Sequence, residues 1–399
     1  MIFNHYHGKN VHLGITGSIA AYKSLDLMRL CLKSNLNLSV TLTSAGEKFV
    51  PSLNYKGLGA KFVFTEQDFF AQDFPHLYPQ KQADVFLICP CTANTLAKIS
   101  LGLADNLLTT QALAFDGPIL LAPAMNVKMW ENPLTQKHLN NLKSQPNLTL
   151  INPGQGQLAC GDTGKGRLAE IETIYLYLLK TISEQDLKGK KVLITAGPTR
   201  EFFDPVRFWS NPSSGYTGIC LASAAWIRGA KVYLVLGPTS VKVPDLPGLQ
   251  VFHVTSAIEM HATCQKLWPE MDVGICSAAV CDFRPEQSLP TKFKKENQDV
   301  FSVPFVSNPD VLAHLGQSKK ASQKLVGFAL ESENVVQEAK RKLKAKNLDL
   351  ILANQVQTKP FGQEENQLVI LDKYGRLEKW PELPKTEIAW RIWDILLSL

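Results

Sequence analysis

Twice in this chain a short apolar run ends in a glycine-bearing turn and hands over to a helical pattern. Residues 11–16 lead into Gly17-Ser18, and residues 191–196 lead into Gly197-Pro198-Thr199. Such strand-turn-helix units build parallel α/β sheets, whose strands read as continuous apolar runs because helices cover both faces. After the first turn, Leu25, Met28 and Leu32 fall on one helix face. Residues 38–43, 84–89 and 118–123 read as further strands. After the second turn, residues 231–236, 271–276, 325–329 and 348–353 repeat the pattern. Between the two series, residues 181–191 are polar and charged and read as a linker. The expectation is therefore α/β: two tandem Rossmann-like domains, residues 1–188 and 189–399, the second with a mainly parallel sheet.

The 399 residues, 45% of them hydrophobic, suffice for two cores. A formal charge of +6, with no basic block interleaved with aromatics, gives nucleic-acid binding no support and suits anionic small ligands. The eight cysteines are scattered, mostly in apolar runs, as reduced buried thiols are. Cys89 and Cys91 flank Pro90 and read as core packing, so no metal site is expected. Residues 1–10 carry no apolar signal core, and no run reaches the ~18 apolar residues of a membrane helix. The chain reads as soluble and cytoplasmic, with no membrane partner.

In the first half, a strand closing in Gly14-x-x-Gly17-Ser18 offers backbone N–H groups to an anion. The spacing falls short of a dinucleotide fingerprint, and a bare turn reads equally well. Three other segments add chemistry. Cys89-Pro90-Cys91-Thr92-Ala93-Asn94-Thr95 follows a strand, at the carboxyl edge where open sheets bind ligands. Pro123-Ala124-Met125-Asn126 ends another, and residues 154–166 form a glycine-rich stretch enclosing Cys160 and Asp162. His76 offers an imidazole able to accept a proton, although a lone histidine is more often structural.

Together these segments resemble the flavoprotein family of homo-oligomeric cysteine decarboxylases, as the first half of bifunctional phosphopantothenoylcysteine decarboxylase/phosphopantothenate–cysteine ligases. The resemblance implies a flavodoxin-like fold holding FMN around Gly17, Ser18, Ser44, Thr92 and Asn94. FMN would oxidise the substrate thiol so that CO₂ leaves, then return the electrons to the product. Asn126 would hold the substrate carboxylate, His76 would accept the proton lost on thiol oxidation, and Cys160 would donate one from a loop folded over the substrate.

In the second half, Ser210-Asn211-Pro212-Ser213-Ser214-Gly215 is dense in hydroxyls and amides, and Lys292, Lys294 and Lys295 cluster. A charge run is usually a solvated face; beyond a strand edge it also suits a triphosphate. Residues 195–346 are similar to the ligase half of the same bifunctional family, through residues 195–201, 210–215, 292–295, 308–310 and 327–329. That resemblance implies activation of 4′-phosphopantothenate by CTP as an acyl-cytidylate, then coupling to L-cysteine, with Mg²⁺ on the triphosphate. Lys292 would stabilise the α-phosphate and Asn211 would bind the acyl-cytidylate. Cys276, Ser277, Ala278 and Asp282 would line the nucleotide pocket, joined by Asn308, Pro309, Asp310 and Val311 and by Phe328, Lys342 and Lys346. Lys342 and Lys346 are four apart and can share a helix face, as ordinary exposed lysines also do.

Three positions depart from the family pattern: Tyr216-Thr217 where Lys-Met is common, Cys281 where alanine is usual, and Gln355 where aspartate is typical. A flavin prenyltransferase or peptidyl-cysteine decarboxylase leaves the second half unexplained. A flavin-binding regulatory subunit would lack the histidine or the cysteine. The resemblance also implies a homo-oligomer, a dodecamer combining trimeric decarboxylase and dimeric ligase contacts.

Overall fold

The computed structural model describes all residues except 71–72, 158–160, 295–300, 332 and 356–364. The chain divides into two compact units, Met1–Glu184 and Gln185–Leu399. The stretch read as a linker is shorter than its polarity suggests. The helix Ile171–Ile182 runs into it, and Leu187 is buried.

The first unit is built on strands β1 (Asn10–Ile15), β2 (Asn37–Leu42), β3 (Phe62–Phe64), β4 (Val85–Cys91), β5 (Ile119–Pro123) and β6 (Leu148–Leu150). Their order is β3-β2-β1-β4-β5-β6, every pairing parallel. The apolar runs work as expected: β4 is buried along its whole length, and Phe86, Ile88, Leu108 and Leu121 share one core. The strand expected to stop at residue 89 continues through Pro90, where the pairing with β5 shifts register. In the helix Lys23–Lys33 the buried stripe is Ser24, Leu27, Met28 and Cys31, so Leu25 and Leu32 flank the packed face.

A hairpin of β7 (Gly154–Gln157) and β8 (Thr163–Arg167) follows the sheet. Its glycines permit close docking. A Cβ on Gly166, whose φ is +135°, would stand 2.4 Å from the Met125 carbonyl oxygen. The Met125 N–H instead donates to the Gly166 carbonyl at 2.9 Å.

The second unit contains β9 (Lys191–Ala196), a ribbon of β10 (Arg200–Phe202) and β11 (Phe208–Ser210), β12 (Lys231–Leu236), β13 (Leu249–His253) and β14 (Val273–Cys276). A second ribbon, β15 (Phe283–Pro285) with β16 (Phe305–Ser307), precedes β17 (Lys324–Glu331), β18 (Leu350–Gln355), β19 (Glu365–Asp372) and β20 (Leu377–Pro384). The main sheet runs β13-β12-β9-β14-β17-β18-β19-β20. It is parallel as far as β18, and β19 and β20 then add an antiparallel edge. Leu193, Trp268, Leu325, Leu348 and Ile351 anchor its core.

Candidate active sites

In the first unit, β1 has β2 on one side and β4 on the other, the point at which an open sheet reverses its winding and leaves a crevice. A cavity of about 1250 Å³ opens there. Helix starts converge on it. Ser18 accepts the Ala20 N–H, Thr43 the Gly46 N–H, Thr92 the Thr95 N–H, Asn106 the Thr109 N–H and Asn126 the Lys128 N–H. All these capping residues line the cavity. Uncapped N–H groups and the positive ends of helix dipoles favour an anion at such a place. Ile19, Met125, Met129 and Leu168 supply apolar walls suited to a flat ring system.

Gly17, Ser18, Ser44, Thr92, Asn94 and Asn126 are brought together on this lining. Asn126 is both a cap and a cavity residue. Its Oδ1 accepts the Lys128 N–H at 2.8 Å, and its Nδ2 donates to Asp162 Oδ2 at 2.9 Å. His76 does not join them. It sits half-buried in the turn Pro75–Leu77, edge-on to Phe74, and does not line the cavity. Cys160 lies outside the described residues, although Gln157 and Gly166 of the same hairpin reach the lining. Lys98 and Asp105, unremarked in the sequence, also line it and pair at 2.8 Å. The Lys98 ammonium holds the Asp105 carboxyl below its ordinary value.

Cys89 and Cys91 are buried free thiols, and burial pushes Cys89 up to about 12. Among the described residues, no cluster of three or more His, Cys, Asp or Glu side chains could hold a metal ion.

In the second unit the corresponding crevice lies between β9 and β14. A cavity of about 660 Å³ occupies it. Thr195 ties the two strand ends together: its Oγ1 accepts the Ala278 N–H at 3.2 Å, and its carbonyl accepts the Ser277 hydroxyl at 2.7 Å. Gly197 and Gly237 let the loops above approach closely. A Cβ on Gly197 (φ +79°) would stand 2.9 Å from the Gly237 carbonyl oxygen.

Cys276, Ser277, Ala278 and Asp282 line this cavity, as do Asn308, Pro309, Asp310 and Val311 and, from later elements, Phe328, Lys342 and Lys346. Asn211 lines it too, its Nδ2 donating to the Ala279 and Val280 carbonyls at 3.3 and 3.2 Å. Lys342 and Lys346 lie at the end of the helix Val335–Ala345, where its dipole favours cations. Each meets a carboxylate: Lys342 pairs with Glu331, and Lys346 with Asp310 at 2.7 Å. Desolvation pushes the Asp310 carboxyl up, but the Lys346 ammonium and the Ala313 N–H outweigh it and hold it below its ordinary value. Burial pushes the Cys276 thiol up to about 12, so it enters as a neutral wall.

Lys292 is the exception. It is exposed and does not line the cavity. Its neighbour Phe293 is held by buried Asp204, which accepts the Phe293 N–H at 3.1 Å and the Arg207 guanidinium at 2.9 Å. Residues missed in the sequence include Asn354, Asn366 and Lys385, and Tyr216, noted there only as a departure from the family pattern, joins them on the lining. Lys385 is only 7% exposed, and nothing in its local pattern marks it.

Each half matches its own family model: "Flavoprotein" over residues 3–183, and "DNA/pantothenate metabolism flavoprotein C-terminal domain" over residues 187–399. The first match makes the first half a flavin-binding domain. The chain is 36% identical over 391 residues to the coenzyme A biosynthesis bifunctional protein CoaBC of Borreliella burgdorferi, covering 97% of this chain and 99% of that one. It is 38% identical over 401 residues to the protein of the same name from Bacillus subtilis, covering 98% and 97%. A cysteine/cysteine sulfinic acid decarboxylase from an unknown prokaryotic organism is 43% identical over 324 residues, covering 79% of this chain and 89% of that one. With both halves matched in order and the two-part relatives matched over nearly their full length, the chain belongs to the CoaBC family, the bifunctional decarboxylase and ligase enzymes of coenzyme A biosynthesis.

Proposed function

We propose that the second unit joins 4′-phosphopantothenate to L-cysteine at the expense of CTP, and that the first, with FMN bound, decarboxylates 4′-phosphopantothenoylcysteine to 4′-phosphopantetheine. The observation that carries this reading is the gathering of Ser277, Asn308, Asp310, Phe328, Lys342 and Lys346, drawn from separate segments, around one sheet-edge cavity.

The first cavity fits FMN chemically. Converging N-caps suit its phosphate, and the walls at Ile19, Met125, Met129 and Leu168 suit its ring. Bound there, FMN would supply two-electron oxidation and its reversal. The protein's part is orientation and proton movement. The amide of Asn126, fixed by Lys128 and Asp162, holds the substrate carboxylate without adding a repelling charge. His76 accepts the thiol proton and Cys160 returns one to the product. Since His76 lies off this chain's own lining, its role fits a homo-oligomer in which a neighbouring copy completes the site; trimeric decarboxylase and dimeric ligase contacts would make a dodecamer.

In the ligase half, Lys342 and Lys346 exchange their carboxylate partners for phosphate oxygens, and Asn211 orients the activated acyl group. Lys292, on an exposed segment, stabilises the α-phosphate when that segment meets the nucleotide. Mg²⁺ would enter with the triphosphate and neutralise part of its charge. Cytoplasmic residence fits the absence, among the described residues, of any helix long and apolar enough to cross a membrane.

The decarboxylase relative favours a second reading of the first unit, action on free cysteine or cysteine sulfinate. One experiment separates them. The yellow, FMN-loaded protein is incubated with 4′-phosphopantothenate, cysteine and CTP, and the cysteine adduct, pyrophosphate and phosphopantetheine are followed. CO₂ from cysteine alone supports the second reading. Colourless protein that releases no pyrophosphate defeats the first.

A further inference from the structure

Lys385 is the first residue of the helix Lys385–Ser398, and it is almost wholly buried. A cation there runs against two effects, desolvation and the positive end of its own helix dipole. It nonetheless lines the second-unit cavity, with Nζ 6.0 Å from the centre of the Tyr216 ring.

Tyr216 is itself the first residue of another helix, Tyr216–Ile227, whose cap Gly215 has no side chain to offer. Ser213 and Ser214 hydroxyls take up the Gly215 and Tyr216 N–H groups. Thr217 and Gly218, the next residues of that first turn, also line the cavity. Two helix starts and an ammonium therefore share one wall.

The wall is rigid. Trp393 Nε1 donates to the Leu221 carbonyl at 3.1 Å, locking the helices together. Arg228, at the end of the Tyr216–Ile227 helix, reaches Asp394 at 2.6 Å. Lys385 thus arrives at the cavity on a braced element, unlike the exposed Lys292.

We propose that Lys385, with the first turn of the Tyr216–Ile227 helix, is an anion-binding residue for a phosphate group of a substrate held in this cavity. The proposal rests on the ligase reading above. It adds a residue from the far end of the unit, opposite in origin to the Lys342–Lys346 pair. Two ligands bring the required chemistry, the triphosphate of CTP and the phosphate of 4′-phosphopantothenate.

The full-length, FMN-loaded protein is titrated with CTP and with 4′-phosphopantothenate separately, as wild type and as Lys385→Met, which keeps the apolar stem. Weakening by about tenfold or more is expected for the ligand whose phosphate Lys385 meets, the size of a charge-assisted hydrogen bond. Decarboxylation of 4′-phosphopantothenoylcysteine should not change. Lys385→Arg should restore most of the loss. So should Tyr216→Lys added to Lys385→Met, because position 216 lies under the ammonium and can bring a charge to the same place.

Wild-type affinity for both ligands in Lys385→Met overturns the proposal. A loss that neither the arginine nor the second-site lysine restores also overturns it, by showing a packing role. If wild type itself binds neither ligand, the ligase reading fails and this inference falls with it.

Discussion

Asn126 joins a structural task to the chemistry proposed for it. It caps the helix Val127–Glu131 and faces the flavin-sized cavity. Asn126→Asp separates the two tasks, since aspartate caps a helix as well as asparagine does. The variant should keep its fold, yet set a new carboxylate against Asp162 and the incoming substrate carboxylate. Such like-charge contacts cost several kcal/mol, so CO₂ release from 4′-phosphopantothenoylcysteine should fall by on the order of a hundredfold. His12 tests a different kind of residue. It is fully buried, with Nδ1 2.7 Å from the Ser39 hydroxyl and Nε2 2.9 Å from that of Thr41, and burial lowers its pKa from 6.5 to about 3. The unfolded chain takes up this proton near 6.5, whereas folded His12 stays neutral until about 3. Its contribution is complete above the upper value and shrinks as pH falls through that window, by up to about 1.4 kcal/mol per pH unit. Urea midpoints for the first unit, measured across the window, should fall less steeply in His12→Gln than in wild type. Ser18, Thr92 and Ser277 stood out in the sequence because they close apolar runs at a sheet's carboxyl edge, whereas Asn308, after the half-buried β16, came only with the family resemblance. Lys385 did not stand out, since a lysine opening a helix looks like any solvated one until burial is known.

Among the elements, the parallel strands with continuous apolar runs were legible; the parallel strands β3, β6 and β13 and the antiparallel ones were not. Continuous apolar runs such as Val85–Ile88 announce burial on both faces. β19 and β20 alternate instead, and Leu368, Ile370 and Trp380 are buried between exposed or charged neighbours such as Glu378 and Lys379. Strand β19 nevertheless lines the second cavity, through Asn366 and Leu368. Strand β14 carries a packing constraint that its sequence hides. A Cβ on Gly274 would meet the Trp268 ring at 2.8 Å and Leu325 Cδ1 at 3.0 Å. Both neighbours are fully enclosed in the core and have little room to yield. Gly274→Ala should therefore destabilise the second unit by about 1–3 kcal/mol. Denaturant titration should show the second unit's midpoint falling while that of the flavin unit holds.

For the whole molecule, each unit has its own core and its own cavity, so each should answer to its own ligand. In calorimetry, FMN should raise one transition and CTP the other. At a hundredfold excess over the dissociation constant each gain is about 2.7 kcal/mol. A single transition moved equally by either ligand would contradict this independence. The two cavities also differ in how much chain must exist before they can close. Among the described residues, the lining of the first cavity ends at Leu168, whereas that of the second runs from Thr195 to Lys385. On the ribosome, the interval between those completions is on the order of tens of seconds. The nascent first half can thus assemble its own share of the cofactor cavity while its neighbour is still an open chain, and the second cavity gains its full lining only when the helix Lys385–Ser398 emerges.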